Sequence, residues 1–133
     1  MMEQTYDVTI VGGGPAGIFA AFYAGLHELK AQLIESLPQL GGQVAALYPE
    51  KQIWDVAGEA GVQGRELIAD LKKQMAIAPV DQFLGEQVTN VVKLADGTFK
   101  IESAQRTSYS SVVMHWATAP FHHADWHWMA QTS

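Results

Sequence analysis

Three glycines and one carboxylate carry the chemistry that can be read most directly from this chain. Gly12-x-Gly14-x-x-Gly17 succeeds the apolar run Tyr6–Val11, and Pro15 stands directly after the second glycine. The first glycine permits a tight turn, the second lets backbone approach a pyrophosphate, and the third lets a helix pack closely on a strand. A helix opening at Pro15 directs free N–H groups and a partial positive charge at the phosphates, with Ala16 in that first turn. Glu35 lies 21 residues beyond Gly14. A carboxylate there accepts both hydroxyls of an adenosine ribose and repels a 2′-phosphate, so a free 2′-OH is favoured. The chemistry is recognition of an adenine dinucleotide, and NAD and FAD both meet it. The bland reading, a glycine turn in a ligand-free fold with Glu35 a solvated strand end, has less weight because strand, loop, helix and acid occur together. His27, Glu50 and Asp55 are ionisable but nothing places them at a reacting atom, so no catalytic residue is assigned.

The elements that must position these residues emerge from periodicity. Tyr6–Val11 reads as a strand, and Pro15–Leu26 as a helix with Ile18, Phe19, Phe22 and Leu26 at helical spacing. Ala31–Glu35 reads as a second strand, parallel to the first because a helix joins them. Arg65–Met75 places Leu67, Ile68, Leu71 and Met75 on one helical face. Gln87–Leu94 and Thr98–Glu102 flank Ala95-Asp96-Gly97, a hairpin signal. The expected fold is α/β, a Rossmann-like parallel sheet with a β-meander.

Composition bounds the rest. With 133 residues the chain suits one domain. The net charge of −6 argues against a nucleic-acid partner, since phosphate contacts need clustered Lys and Arg. There is no cysteine, so thiol chemistry and disulfides are excluded from these residues. No apolar run is long enough to cross a membrane and no signal peptide is visible, so a cytoplasmic location is expected. All 12 glycines lie between Gly12 and Gly97, whereas Ala104–Ser133 carries only Arg106 and Asp125 as charges, with four of the five His and three of the four Trp. The expected organisation is therefore a binding domain over 1–103 and an atypical His/Trp-rich tail over 104–133. In that tail His122, His123, Asp125 and His127 have spacing that would suit zinc. This reading is the weaker one, and no metal site is assigned. Trp116, Trp126 and Trp128 would favour association if they found no core.

A longer stretch carries a family likeness. Glu35-Ser36-Leu37-Pro38-Gln39-Leu40-Gly41-Gly42-Gln43 is followed by Leu47-Tyr48-Pro49-Glu50-Lys51 and Asp55-Val56-Ala57-Gly58. With the glycine loop, residues 5 to about 103 resemble the two-domain flavoprotein reductases related to thioredoxin reductase. The last two runs look most like its ferredoxin–NADP reductases. The resemblance implies FAD at this first unit. Gly12, Gly14, Ala16 and Gly17 would approach the pyrophosphate and Glu35 the ribose. Gly42 and Gln43 would approach the flavin end, Tyr48 the isoalloxazine and Val88 the adenine, through backbone groups and an apolar wall. Phe121 falls near a flavin-contacting Phe of the family. Without the likeness Gln43, Tyr48 and Val88 read as a loop residue, a half-buried aromatic and a strand position. The absence of cysteine does not separate the two reductases, because the Cys-x-x-Cys pair of the small thioredoxin reductases belongs to their NADPH domain.

The family reaction moves two electrons between NADPH and FAD and single electrons to ferredoxin or a similar small redox protein, in a protein that is commonly a homodimer. The NADPH domain and the Gly-Asp segment that completes the FAD site are not in this sequence. The chain is therefore expected to be the FAD half, inactive by itself. Codons allowed for Met114–Trp126, read two bases along, spell Ala-Leu-Gly-Asn-Gly-Ala-Phe-Pro-Pro-Arg-Arg-Leu, which contains the family's Gly-Asn-Gly-Ala-Phe turn. A change of reading frame between about Ala104 and Met114 is the expectation, and it makes the Phe121 match accidental. The alternative from another class is a non-catalytic adenine-dinucleotide-binding module.

Overall fold

The computed structural model describes residues 4–115. Phe121, the three tail tryptophans and the His122–His127 cluster lie outside them, as does the side chain of Gln43. The chain forms β1 (Gln4–Val11), α1 (Pro15–Leu26), β2 (Ala31–Ile34), α2 (Gly42–Leu47), β3 (Gln52–Ile53), β4 (Val62–Gln63), α3 (Gly64–Met75), β5 (Asp81–Phe83), β6 (Val88–Lys93), β7 (Phe99–Ser103) and β8 (Thr107–His115). One sheet has the order β5-β2-β1-β8-β7-β6, and β3 pairs with β4 in a second, two-stranded one. β5, β2, β1 and β8 run parallel, and β8, β7 and β6 continue as an antiparallel meander.

Alternation along the strands divides the core between the two sides of the sheet. Val8, Ile10, Ala31 and Leu33 face α1 and α3, where they pack with Ile18, Ala21, Ala24, Ile68 and Met75. Val11 and Ile34 point the other way, into a cluster with Val88, Val91, Phe99 and Ile101 of the meander. The sheet is thus covered by helices on one side and by the β6–β7 hairpin on the other, and no helix among the described residues is long and apolar enough to cross a membrane.

Two expectations need correction. The expected apolar face of α1 is buried only in part: Ile18 is in the core and Phe22 packs against it, but Phe19 and Leu26 do not. Gly17, Ile18, Ala21, Ala24 and Gly25 are buried, whereas Phe19 is 46% and Leu26 57% exposed. Small residues let the helix approach the sheet, while Phe19 and Leu26 are left outside. The composition shift at 104 is likewise not an edge of the fold. Thr107–His115 is the strand between β1 and β7, with Gln4 opposite Ser108 and Val11 opposite His115. Its inward residues are Ser108 and Ser110, both buried, so it lacks the apolar alternation by which strands are usually recognised.

At the other end of β1 the Tyr6 hydroxyl donates to Asp81 Oδ2 at 2.6 Å. Burial, and then the Asp81 carboxylate, keep this phenol protonated well above its ordinary value of 10.0. The unfolded chain ionises first, so the stabilisation is complete below pH 10 and is lost as pH rises toward the folded value. Between pH 10 and 11 the unmodified chain should lose up to about 1.4 kcal/mol more stability than Tyr6→Phe. Urea titrations at the two pH values check this, and equal losses would contradict it.

Candidate functional site

The glycine loop lies where β1 hands over to α1. Gly12 has φ +113°, a conformation that costs a residue with a Cβ, and its N–H donates to the Ile34 carbonyl at 2.9 Å. This bond carries the β1–β2 ladder one residue beyond the strands. Gly14 is the N-cap of α1, in extended conformation, with Pro15 directly after it. Its carbonyl accepts the Ile18 N–H at 3.0 Å. No N-cap side chain bonds to this helix end and no acidic side chain stands in its first turn. The donors there, including exposed Ala16, keep their partial positive charge for an external anion. A Cβ built on Gly14 would meet nothing within 4 Å, so open space adjoins the loop. Gly17 is buried in the helix face that packs on the sheet.

Glu35 forms the second wall. It is 7% exposed, and both carboxylate oxygens are held. Oε1 accepts the Gly13 N–H at 2.9 Å, while Oε2 accepts the Leu37 N–H at 2.9 Å and the Ser36 hydroxyl at 3.2 Å. An ionised carboxylate offers about four lone-pair sites, so Oε1 keeps capacity for a further donor such as a sugar hydroxyl. Gly13, the unassigned residue inside the motif, thus links the loop to the acid. A Cβ on it would stand 3.2 Å from Glu35 Cβ and 2.7 Å from Leu40 Cδ2.

The loop after Glu35 folds back onto the glycines. The Gly41 N–H donates to the Gly13 carbonyl at 2.7 Å, and a Cβ on Gly42 would come within 3.1 Å of Gly14 Cα. Gly41 and Gly42 have φ +119° and +57°, which suits the close backbone crossing. Val88 begins β6 beside Val11 and Ile34. Its side chain is buried in that cluster. Tyr48 caps α2, half exposed, with Lys51 Nζ 5.2 Å from its ring centroid. The structure therefore gathers Gly12, Gly14, Ala16, Gly17, Glu35, Gly42 and Val88 around the exit ends of β1 and β2, with Tyr48 one short helix away. An open cradle at an uncapped helix end, flanked by a held carboxylate, fits an adenine dinucleotide.

The family described as FAD dependent oxidoreductase matches residues 7–124. The chain belongs to the FAD-dependent oxidoreductase family. Proteins called ferredoxin–NADP reductase from Limosilactobacillus fermentum and Limosilactobacillus reuteri are 71% and 70% identical to it, over 85% and 86% of this chain. The chain spans 34% of the length of each. The fold is that of thioredoxin reductase from Streptococcus pyogenes, with a TM-score of 0.74 at 23% identity, covering 86% of this chain and 35% of that one. This member of the family thus has the fold of about one third of a thioredoxin reductase.

Sequence reasoning missed a polar group on the meander side of the oxidoreductase sheet. Arg106 Nε lies 3.1 and 3.0 Å from the two carboxylate oxygens of buried Glu86. An Arg106 terminal nitrogen donates to Gln32 Oε1 at 2.8 Å, and Gln32 Nε2 donates to Thr9 Oγ1 and Ser108 Oγ at 2.8 and 3.0 Å. The guanidinium also covers the Phe83 ring, 3.4 Å from its centroid. Arg106 is one of only two charges in the segment expected to be a tail, and only the fold brings it to Glu86. Of the other ionisable residues considered, Glu50 is ion-paired with Arg65 and His27 caps the end of α1. No group of three or more metal-ligating residues occurs among the described residues.

Proposed function

We propose that this chain holds FAD as part of a reductase that passes electrons from NADPH to ferredoxin or a similar small redox protein. The observation that carries the reading is the pairing of an open, uncapped helix end at Gly14 with the held carboxylate of Glu35. The names of the relatives at 70–71% identity support the electron donor and acceptor. In this reading the N–H groups at Ala16 and Gly17 take the pyrophosphate. Glu35 accepts the adenosine ribose hydroxyls, the Val88 backbone meets the adenine, and Gly42, Gln43 and Tyr48 border the flavin end. FAD, when bound, supplies exchange between two-electron and one-electron carriers; the residues here bind and orient it.

The described residues contain one glycine-rich strand–helix turn, and FAD occupies it in this reading. NADPH oxidation by the chain alone is therefore expected to be undetectable. A non-catalytic adenine-dinucleotide-binding module is the second reading, favoured by that single site. The visible absorption spectrum of the purified chain, after incubation with FAD and desalting, tests the assignment. Retained flavin bands that excess NAD does not displace support it. A folded chain that stays colourless while binding NAD overturns it in favour of the second reading.

A further inference from the structure

Two loops border the adenosine end of the proposed site, and both are held by one largely buried ion pair. After β2 the chain continues through Glu35–Leu37, and after β5 through Leu84–Gln87. The Glu35 N–H donates to the Phe83 carbonyl, the Glu86 N–H to the Glu35 carbonyl and the Gly85 N–H to the Leu37 carbonyl, each at 2.9 Å. The two exits thus run together for several residues beyond their strands. Glu86 is 6% exposed, and its carboxylate faces Arg106 on the β7–β8 turn. That turn is itself closed by the Ser103 N–H donating to the Arg106 carbonyl at 3.0 Å and the Arg106 N–H donating to Ser103 Oγ at 3.2 Å. Gln105 Nε2 adds a bond to the Gly85 carbonyl at 3.3 Å.

We infer that Arg106 and Glu86 are positioning residues for the adenosine half of the ligand, a role that rests on the proposed FAD site. Two residues after Glu86 the chain reaches Val88, and the Glu86 N–H holds the backbone of Glu35. The pair therefore sets the separation between the carboxylate that takes the ribose and the backbone that takes the base. Stability alone does not call for such a pair. Apolar side chains of similar volume commonly replace a buried ion pair with no loss of stability. What they do not reproduce is a planar guanidinium that grips a carboxylate, donates to Gln32 and covers the Phe83 ring at once.

The experiment uses 5′-ADP and 2′-deoxy-5′-ADP as probes, titrated calorimetrically into the chain. The unmodified chain should prefer ADP about tenfold, the effect of one hydrogen bond to an ionised acceptor. In the double variant Glu86→Leu/Arg106→Met, which leaves the buried Gln32 carbonyl without the guanidinium, the melting temperature should fall by no more than about 15 °C while the preference falls below about threefold. Arg106→Lys, which keeps the charge and loses the fork, should lower the preference as well and serves if the double variant does not fold. A merely structural role would weaken both probes equally. A folded variant with an unchanged preference overturns the inference and leaves the site reading intact. An unmodified chain with no preference overturns the site reading, and this inference with it.

Discussion

Gly14→Val should abolish FAD binding and leave the fold standing. Gly14 has φ −75° and ψ −175°, an extended conformation that valine adopts readily, and its Cβ would meet no protein atom within 4 Å. Within the folded chain the cost is limited to a poorer N-cap, about 1 kcal/mol. For a ligand the position is very different. The branched side chain would occupy the space through which a pyrophosphate must approach the N–H groups at the start of α1. Losing two charge-assisted hydrogen bonds there amounts to about 3 kcal/mol or more, a fall of at least about a hundredfold in affinity. Equilibrium dialysis against FAD, with a thermal melt on the same samples, separates the two effects. A variant that melts normally and still retains flavin would place the phosphates elsewhere.

The second large effect is expected at Glu35. Glu35→Ala removes the proposed acceptor for the ribose and also deprives the Gly13 and Leu37 N–H groups of their partner. The buried Gly13 N–H alone should cost about 1–3 kcal/mol of stability, and affinity for FAD should fall about a hundredfold. Glu35→Gln should not rescue it. An amide has one acceptor oxygen, so one of these two donors would face an NH2 group. Discrimination supplies the sharper readout. The unmodified chain should reject 2′,5′-ADP relative to 5′-ADP, because a carboxylate repels a 2′-phosphate, and Glu35→Ala should narrow that gap. A gap of the same size in both proteins would mean that Glu35 does not meet the ribose.

Much of this site can be read from residues because it depends on local chemistry. The demand for φ +113° at Gly12, the Pro15 helix start and the acid at the end of β2 are short-range features with fixed offsets. The β1–α1–β2 unit and the β6–β7 hairpin are legible for the same reason. Gln43 and Tyr48 enter only through the family likeness. Only Ile18 and Phe22 of the buried face of α1 show in the periodicity, because glycine and alanine give a weak signal while Phe19 and Leu26 give a strong one. β8 is hidden by serines at Ser108 and Ser110, buried positions where the usual strand pattern has apolar residues. The contact between Arg106 and Gln32 joins residues 74 apart, and no local pattern announces it.

The placement of β8 also dictates an order of assembly. β1 and β2 can pair as soon as α1 has formed between them, but the far edge of β1 waits for a strand whose first residue is Thr107. Until then β1 is an edge strand, with unpaired N–H and C=O groups open to neighbouring chains, and the β6–β7 hairpin has nothing to dock on. On a ribosome this segment therefore emerges as a glycine loop on an unfinished sheet. Pairing strands so distant in sequence is entropically expensive, which makes β8 insertion the natural slow step. Aggregation during synthesis should thus concentrate in the interval between the completion of β2 and the arrival of Thr107–His115.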